Sequence, residues 1–187
     1  MHVHLETPRL VIRQFTPDDA PSLYELDSDP AVVRYVGGRS CSDVEAYRDR
    51  ISTIYAGYYG RYASLGVWAV IERVSGEFLG WVCLRPARDY RYAAEAQFAA
   101  DEAELGYRLR QSAWGRGYAT EASQAVIARG WDTEPIAAVV SSALRDNRAS
   151  WRVMEKCGLR FVREFRIEGF DCPAVAYRRP HPATNSA

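Results

Sequence analysis

Gly115 and Gly117 stand in the run Trp114-Gly115-Arg116-Gly117-Tyr118-Ala119-Thr120-Glu121-Ala122, between a strand-like stretch at 104–109 and an Ala-rich helical stretch. Two glycines at a strand-to-helix junction leave backbone N–H groups unshielded by side chains. Those groups sit at the positive end of a helix dipole, an arrangement that binds phosphate or pyrophosphate. The spacing therefore points to a nucleotide-like cofactor held by main chain. A P-loop reading fails, because no Gly-Lys-Ser/Thr follows the glycines.

Other chemistries are disfavoured by composition. The chain has 187 residues, with 24 basic and 24 acidic side chains. That balance gives no broad electrostatic footprint for nucleic acid or an anionic membrane. No apolar run approaches the ~18 residues of a membrane helix. Cys41, Cys83, Cys157 and Cys172 are not paired at metal-ligand spacing, and His2, His4 and His181 are scattered, so no metal site is expected. Each cysteine reads as a small core residue. With no charged start leading into an apolar stretch, the expected location is the cytoplasm.

The elements that must position the glycine turn are legible in outline. Leu10-Val11-Ile12-Arg13 reads as a first strand, and Thr16-Pro17-Asp18-Asp19 as a helix start with Thr16 as N-cap. Asp27-Ser28-Asp29-Pro30 breaks that helix. A second helix opens at Ser42 and runs through Tyr58. Residues 66–72 and 78–84 form a hairpin. Residues 86–101 read as partly helical or as a mobile flap. Residues 136–141 are continuously apolar, as in a strand buried on both faces. A helix follows from Asn147 to Lys156, and two late strands span 159–165 and 174–178. The fold class is α/β (α+β), a mostly antiparallel sheet with one strand-helix-strand crossover, in one domain over residues 1–180 with a frayed tail at 181–187.

A second element, Asn147-x-x-Ser150-x-x-Val153-Met154-Glu155-Lys156-Cys157-Gly158-Leu159-x-Phe161, stands about thirty residues downstream of the glycine turn. With Glu104-Leu105-Gly106-Tyr107 and Arg9-Leu10-x-Ile12-Arg13, the order and spacing resemble the GNAT superfamily of N-acetyltransferases, and more narrowly its RimJ/RimL-like branch. The resemblance implies acetyl-CoA as co-substrate and an amine acceptor, either a small molecule or a protein N-terminus, in a monomer or homodimer. It implies that the N–H groups of Gly115, Arg116, Gly117, Ala119 and Thr120 hold the pyrophosphate, with Trp114 and Tyr118 in the same loop. Trp114 departs from the general Gln/Arg-x-x-Gly-x-Gly/Ala signature but suits this branch. The resemblance also implies that the 104–109 strand splays from its neighbour at a bulge suited to Gly106. The pantetheine arm then fills the gap against backbone groups of Tyr107 and Leu109, with Asn147 and Ser150 beside it. Asn147 equally reads as a helix N-cap or Asx-turn, and Ser150 as an ordinary small helix residue.

The chemistry needs a base, because an alkyl ammonium with a pKa of about 10 offers little free amine at neutral pH, whereas an α-amine near 8 offers more. Glu104 is the leading candidate and Glu168 the second. A leaving thiol of pKa about 8.5 needs only a modest donor. The family's usual tyrosine, seven residues after the Asn, is Met154 here, which leaves Ser150 as the natural substitute and Tyr107 and Tyr118 behind it. The acceptor pocket is expected among Tyr55, Tyr58, Tyr59, Tyr62, Tyr90 and Tyr92. A non-catalytic acyl-CoA-binding module is the contrasting reading.

Overall fold

Strand-forming runs at eight places in the chain pair into a single sheet. The structure, a computed structural model, describes residues 2–37 and 41–182. The strands are β1 (Val3–Glu6), β2 (Leu10–Gln14), β3 (Gly66–Glu72), β4 (Phe78–Pro86), β5 (Ala103–Leu109), β6 (Ala138–Leu144), β7 (Arg160–Phe165) and β8 (Ala174–Pro180). Their order is β1-β2-β3-β4-β5-β6-β8-β7. All neighbours are antiparallel except β5 and β6. A parallel pair needs a crossover, and the helix α6 (Tyr118–Thr133) provides it.

The remaining helices are α1 (Ala20–Ser28), α2 (Pro30–Val33), α3 (Val44–Arg50), α4 (Ala56–Arg61), α5 (Ala93–Ala96) and α7 (Arg148–Lys156). The expected mixed sheet flanked by helices is present, with several local differences. An edge strand, β1, precedes the first expected one. The second helix is interrupted by a π-helical turn at Ile51–Tyr55. The strand expected at 136–141 begins two residues later, at Ala138, and runs on to Leu144. Residues 86–101 are partly helical: a 3₁₀ turn at Ala87–Asp89 and α5 follow the end of β4. The tail is tied down further than expected, for β8 reaches Pro180 and the His181 N–H donates to the Ala137 carbonyl at 2.9 Å. Residues 183–187 of the expected frayed tail lie outside the described residues.

Three apolar clusters result. One lies under α6 and α7, and includes Leu105, Leu109, Val126, Ile127 and Met154. Met154 thus serves as core. On the opposite face, Phe15, Leu23, Tyr47, Ile51 and Tyr55 pack on β3 and β4. Also apart from the first, Leu144, Phe165, Ile167 and Ala174 pack with Tyr92 and Phe98. The last two clusters both contribute to the walls of one cavity beside β5.

Near the β1 edge of the sheet, His4 on β1 stacks on Trp68 of β3 with ring centroids 4.3 Å apart. Burial above all, helped by the positive charge of Arg129 and by His2, lowers its pKa from 6.5 to about 4. Between those values the unfolded chain binds a proton that the fold excludes. His4 therefore does not weaken the fold above pH 6.5 and weakens it progressively as pH falls toward 4. The thermal midpoint is expected to decline across that window, and His4→Phe to decline less, as read by differential scanning fluorimetry.

Candidate functional site

Alternation along β5 sends its side chains to two faces. Leu105, Tyr107 and Leu109 point toward α6 and α7, whereas Glu104, Gly106 and Arg108 point the other way. The main chain divides as well. Arg110 N–H donates to the Leu79 carbonyl at 2.8 Å, so the even-numbered residues of β5 bond to β4. The amides of Leu105, Tyr107 and Leu109 therefore face β6. Yet β5 and β6 pair only at Ala103↔Val139 and Glu104↔Val140. Beyond Glu104 the strands diverge and leave a crevice.

The expected splay is thus present, but no residue is inserted at Gly106: the β4–β5 register runs unbroken from Gly80↔Leu109 to Pro86↔Ala103. Gly106 is needed for close approach. A Cβ there would lie 2.8 Å from Cys83 Sγ and 3.5 Å from Glu104 Oε1. Two side chains cap part of the open edge. Ser141 Oγ donates to the Leu105 carbonyl at 2.7 Å, and Trp114 Nε1 donates to the Leu109 carbonyl at 2.8 Å. Leu109 therefore keeps only its N–H for a ligand, and Trp114 acts as a brace at the end of the strand.

At the start of α6, Gly115 (φ +71°) and Gly117 (φ +82°) are both left-handed. Gly117 is the N-cap of a 16-residue helix, and no side chain caps it. The first N–H groups of the helix, through Ala119 and Thr120, have no intrahelical partner. This is a main-chain cradle fitted to a phosphate. Glu121 in the first turn would oppose an anion, but Thr7 Oγ1 and Arg9 Nε hold its carboxylate, each at 2.6 Å. Desolvation works against ionisation there, and these hydrogen bonds outweigh it, so the carboxyl titrates below its usual range. Arg9 also donates to the Arg116 carbonyl at 2.9 Å. Arg116 lies 4.8 Å from the Tyr118 ring centroid. The Tyr118 side chain is buried with its hydroxyl on Glu72, so it contributes main chain to the loop and no proton donor to the crevice.

The crevice opens into a cavity of about 400 Å³. Glu104, Tyr107, Asn147 and Ser150 line it together. Glu104 is 4% exposed, and its Oε2 accepts from Arg85 Nε at 2.8 Å. Its Oε1 lies over bare Gly106 and has no hydrogen-bond partner among the described residues. Asn147 caps α7 by accepting from the Ser150 N–H at 3.2 Å, so the capping reading is realised on the wall of the cavity. The Tyr107 hydroxyl donates to the Ser150 carbonyl at 2.6 Å and lies 3.2 Å from Ser150 Oγ. Burial pushes the Tyr107 phenol well above its ordinary range, so it keeps its proton.

Glu168 is not brought to the cavity. It is exposed on the turn between β7 and β8, whose Ile167 and Phe170 do reach the wall. Of the expected tyrosines, Tyr55, Tyr90 and Tyr92 line the cavity. Tyr58 bonds Asp89, Tyr59 bonds the Val67 carbonyl and Tyr62 meets Arg88. The sequence reading missed Asp27, which is 2% exposed, accepts from the Tyr47 hydroxyl at 2.6 Å and pairs with Arg108. Its signal was a carboxylate four residues after Leu23, on the buried face of α1.

Comparison with known proteins agrees with this architecture. The chain is 29% identical over 170 residues to the FsC-acetyl coenzyme A-N(2)-transacetylase of Aspergillus fumigatus, covering 90% of this chain and 69% of that protein. A GNAT-family acetyltransferase from Bacillus anthracis superposes with a TM-score of 0.75 at 23% identity, covering 97% of this chain and 99% of that one. RimL, a ribosomal L7/L12 α-N-protein acetyltransferase solved in complex with coenzyme A, gives a TM-score of 0.76 at 17% identity, covering 97% and 99%. Residues 9–160 match the acetyltransferase (GNAT) domain, and the chain belongs to that family.

Proposed function

We propose that this chain is an acetyl-CoA-dependent N-acetyltransferase that acts on a primary amine by direct attack in a ternary complex. The observation that carries the reading is the divergence of β5 from β6. One crevice has main-chain amides along one side and, on its walls, the free oxygen of Glu104 and the hydroxyls of Ser150 and Tyr107. The residues fit the co-substrate. Gly115, Arg116, Gly117, Tyr118, Ala119 and Thr120 offer main-chain N–H groups to a pyrophosphate, with Trp114 bracing the loop. The Tyr107 amide, the Leu109 N–H, Asn147 and Ser150 border the slot for the arm. When bound, acetyl-CoA supplies an acyl group already activated as a thioester.

The protein's own part is to prepare the amine and meet the developing charge. Glu104 Oε1 takes the proton from the acceptor nitrogen, directly or through a water. Arg85 holds the other oxygen and so fixes the carboxylate's direction. Ser150 presents its hydroxyl at the opposite wall, where a thiolate is stabilised by hydrogen bonding, and Tyr107, whose own proton goes to the Ser150 carbonyl, holds that turn in place. No cysteine takes up the acyl group in this scheme. Cys83, the cysteine nearest Glu104 at 3.7 Å, is fully buried, and that burial pushes its thiol far up. The acceptor is a protein N-terminus or a small-molecule amine. The four free cysteines suit a cytoplasmic location, and among the described residues no helix is long and apolar enough to cross a membrane.

Glu104→Gln keeps the shape and the Arg85 contact. It is expected to lower kcat by ~10²–10⁴-fold while leaving coenzyme A affinity near wild type. Glu168→Gln is expected to change little. Wild-type protein that binds coenzyme A but releases no thiol with any amine would support the non-catalytic binding module instead. Gly117→Val forces a left-handed β-branched residue at the cradle and brings its Cβ against Arg9. It is expected to cost about 1–2 kcal/mol of stability and to weaken coenzyme A binding about tenfold, as read by thermal melts and calorimetry.

A further inference from the structure

The cavity wall carries four arginines, Arg50, Arg85, Arg91 and Arg108, against three carboxylates, Asp27, Asp89 and Glu104. Two pairs cancel, Arg108 with Asp27 and Arg85 with Glu104. Asp89 accepts from the Tyr58 hydroxyl at 2.9 Å. Arg91 is exposed and lies 5.0 Å from the Tyr92 ring centroid. Arg50 is different: it is partly buried, and no carboxylate pairs with it among the described residues. Its Nε is shut off from solvent without a hydrogen-bond partner. Its neighbours are neutral or of like charge. The guanidinium carbon lies 5.7 Å from the Tyr55 ring centroid, the guanidinium hydrogen-bonds the Tyr55 hydroxyl and the Cys41 thiol, and the charge of Arg85 opposes its own. Partly burying a guanidinium with only neutral partners carries a desolvation cost that an anion would offset.

The backbone supports the same point. Arg50 is the last residue of α3, and the π-helical turn Ile51–Tyr55 begins immediately after it. Such turns are rare and concentrate at functional sites. Both residues that bracket this one, Arg50 and Tyr55, line the cavity.

We infer that Arg50 anchors an anionic group of the acceptor, and that the acceptor is a small primary amine that also bears a carboxylate. The inference rests on the acetyl-transfer reading and narrows its substrate. The amine end belongs at Glu104 Oε1, the one carboxylate oxygen of the ion pairs' side of the wall left free among the described residues. The carboxylate end belongs at Arg50, whose planar fork matches it in two parallel hydrogen bonds. A polyamine or an aminoglycoside would instead add cations to a wall whose two buried acids are already neutralised. The cavity, about 400 Å³ with Tyr92 and Phe170 in its wall, suits a small molecule.

The test measures thiol release from acetyl-CoA with glycine, β-alanine, γ-aminobutyrate and the common L-amino acids. Each is paired with its own carboxamide at equal free-base concentration, and spermidine serves as the polycation. At least one acid is expected to exceed its carboxamide by about tenfold or more in kcat/KM. Arg50→Met should bring that ratio toward one through KM, Arg50→Lys should restore part of it, and calorimetry should find coenzyme A affinity retained in both. Preference for carboxamides or spermidine, or an acid-to-amide ratio that Arg50→Met leaves unchanged, overturns the inference while acetyl transfer stands. Absence of thiol release with every amine removes both.

Discussion

The parting of β5 from β6 after Glu104 and Val140 is the constraint on which the site depends. A strand edge inside a protein cannot leave its N–H and C=O groups without partners. Here Ser141 takes the Leu105 carbonyl and Trp114 the Leu109 carbonyl. The Tyr107 amide and the Leu109 N–H are parts of the edge these braces leave for a ligand.

The same strand links two chemistries because its side chains alternate. Tyr107 leans toward α7 and meets Ser150, on the side where the acyl carrier's sulfur would lie. Glu104 leans toward α1 and α3, on the side where an amine would enter. Gly106 between them carries no side chain and leaves room above Glu104 Oε1. A single regular ladder with β4 therefore sets the spacing of Glu104 and the Tyr107 hydroxyl, and no bulge is required.

Electrostatics divides the protein into two anion-friendly regions. At the start of α6, the left-handed Gly117 bares the helix N-terminus, and Arg9 with Thr7 draws Glu121 aside. In the cavity, Arg108 and Arg85 hold the buried acids, and Arg50 stands without one. The buried ion pairs do not by themselves stabilise the fold greatly, because desolvation offsets much of their attraction. Their effect is to orient Glu104 and to set the charge of the wall.

Much was legible in the chain because it is local. The left-handed turn at Gly115 and Gly117, the cap by Asn147 and the hairpin of β3 and β4 each follow from residues within a few positions of one another, where turn and capping chemistry operate. The order of these signals around Glu104 and Ser150 was enough to indicate the family. What the chain alone did not reveal was contact across distance. Asp27 and Arg108 pair over 81 positions, Trp114 reaches back to a carbonyl it resembles in no motif, and Glu168 sits one residue from the cavity wall yet points outward. The interruption of the second helix at Ile51–Tyr55 likewise follows from packing of Tyr47, Ile51 and Tyr55 on the sheet, not from helix-breaking residues. Sequence determined the cradle and the candidate base, since backbone geometry and residue type act locally. Tertiary structure alone decided which charges cancel and which oxygen stays free, since pairing energies depend on distances that only the assembled sheet defines.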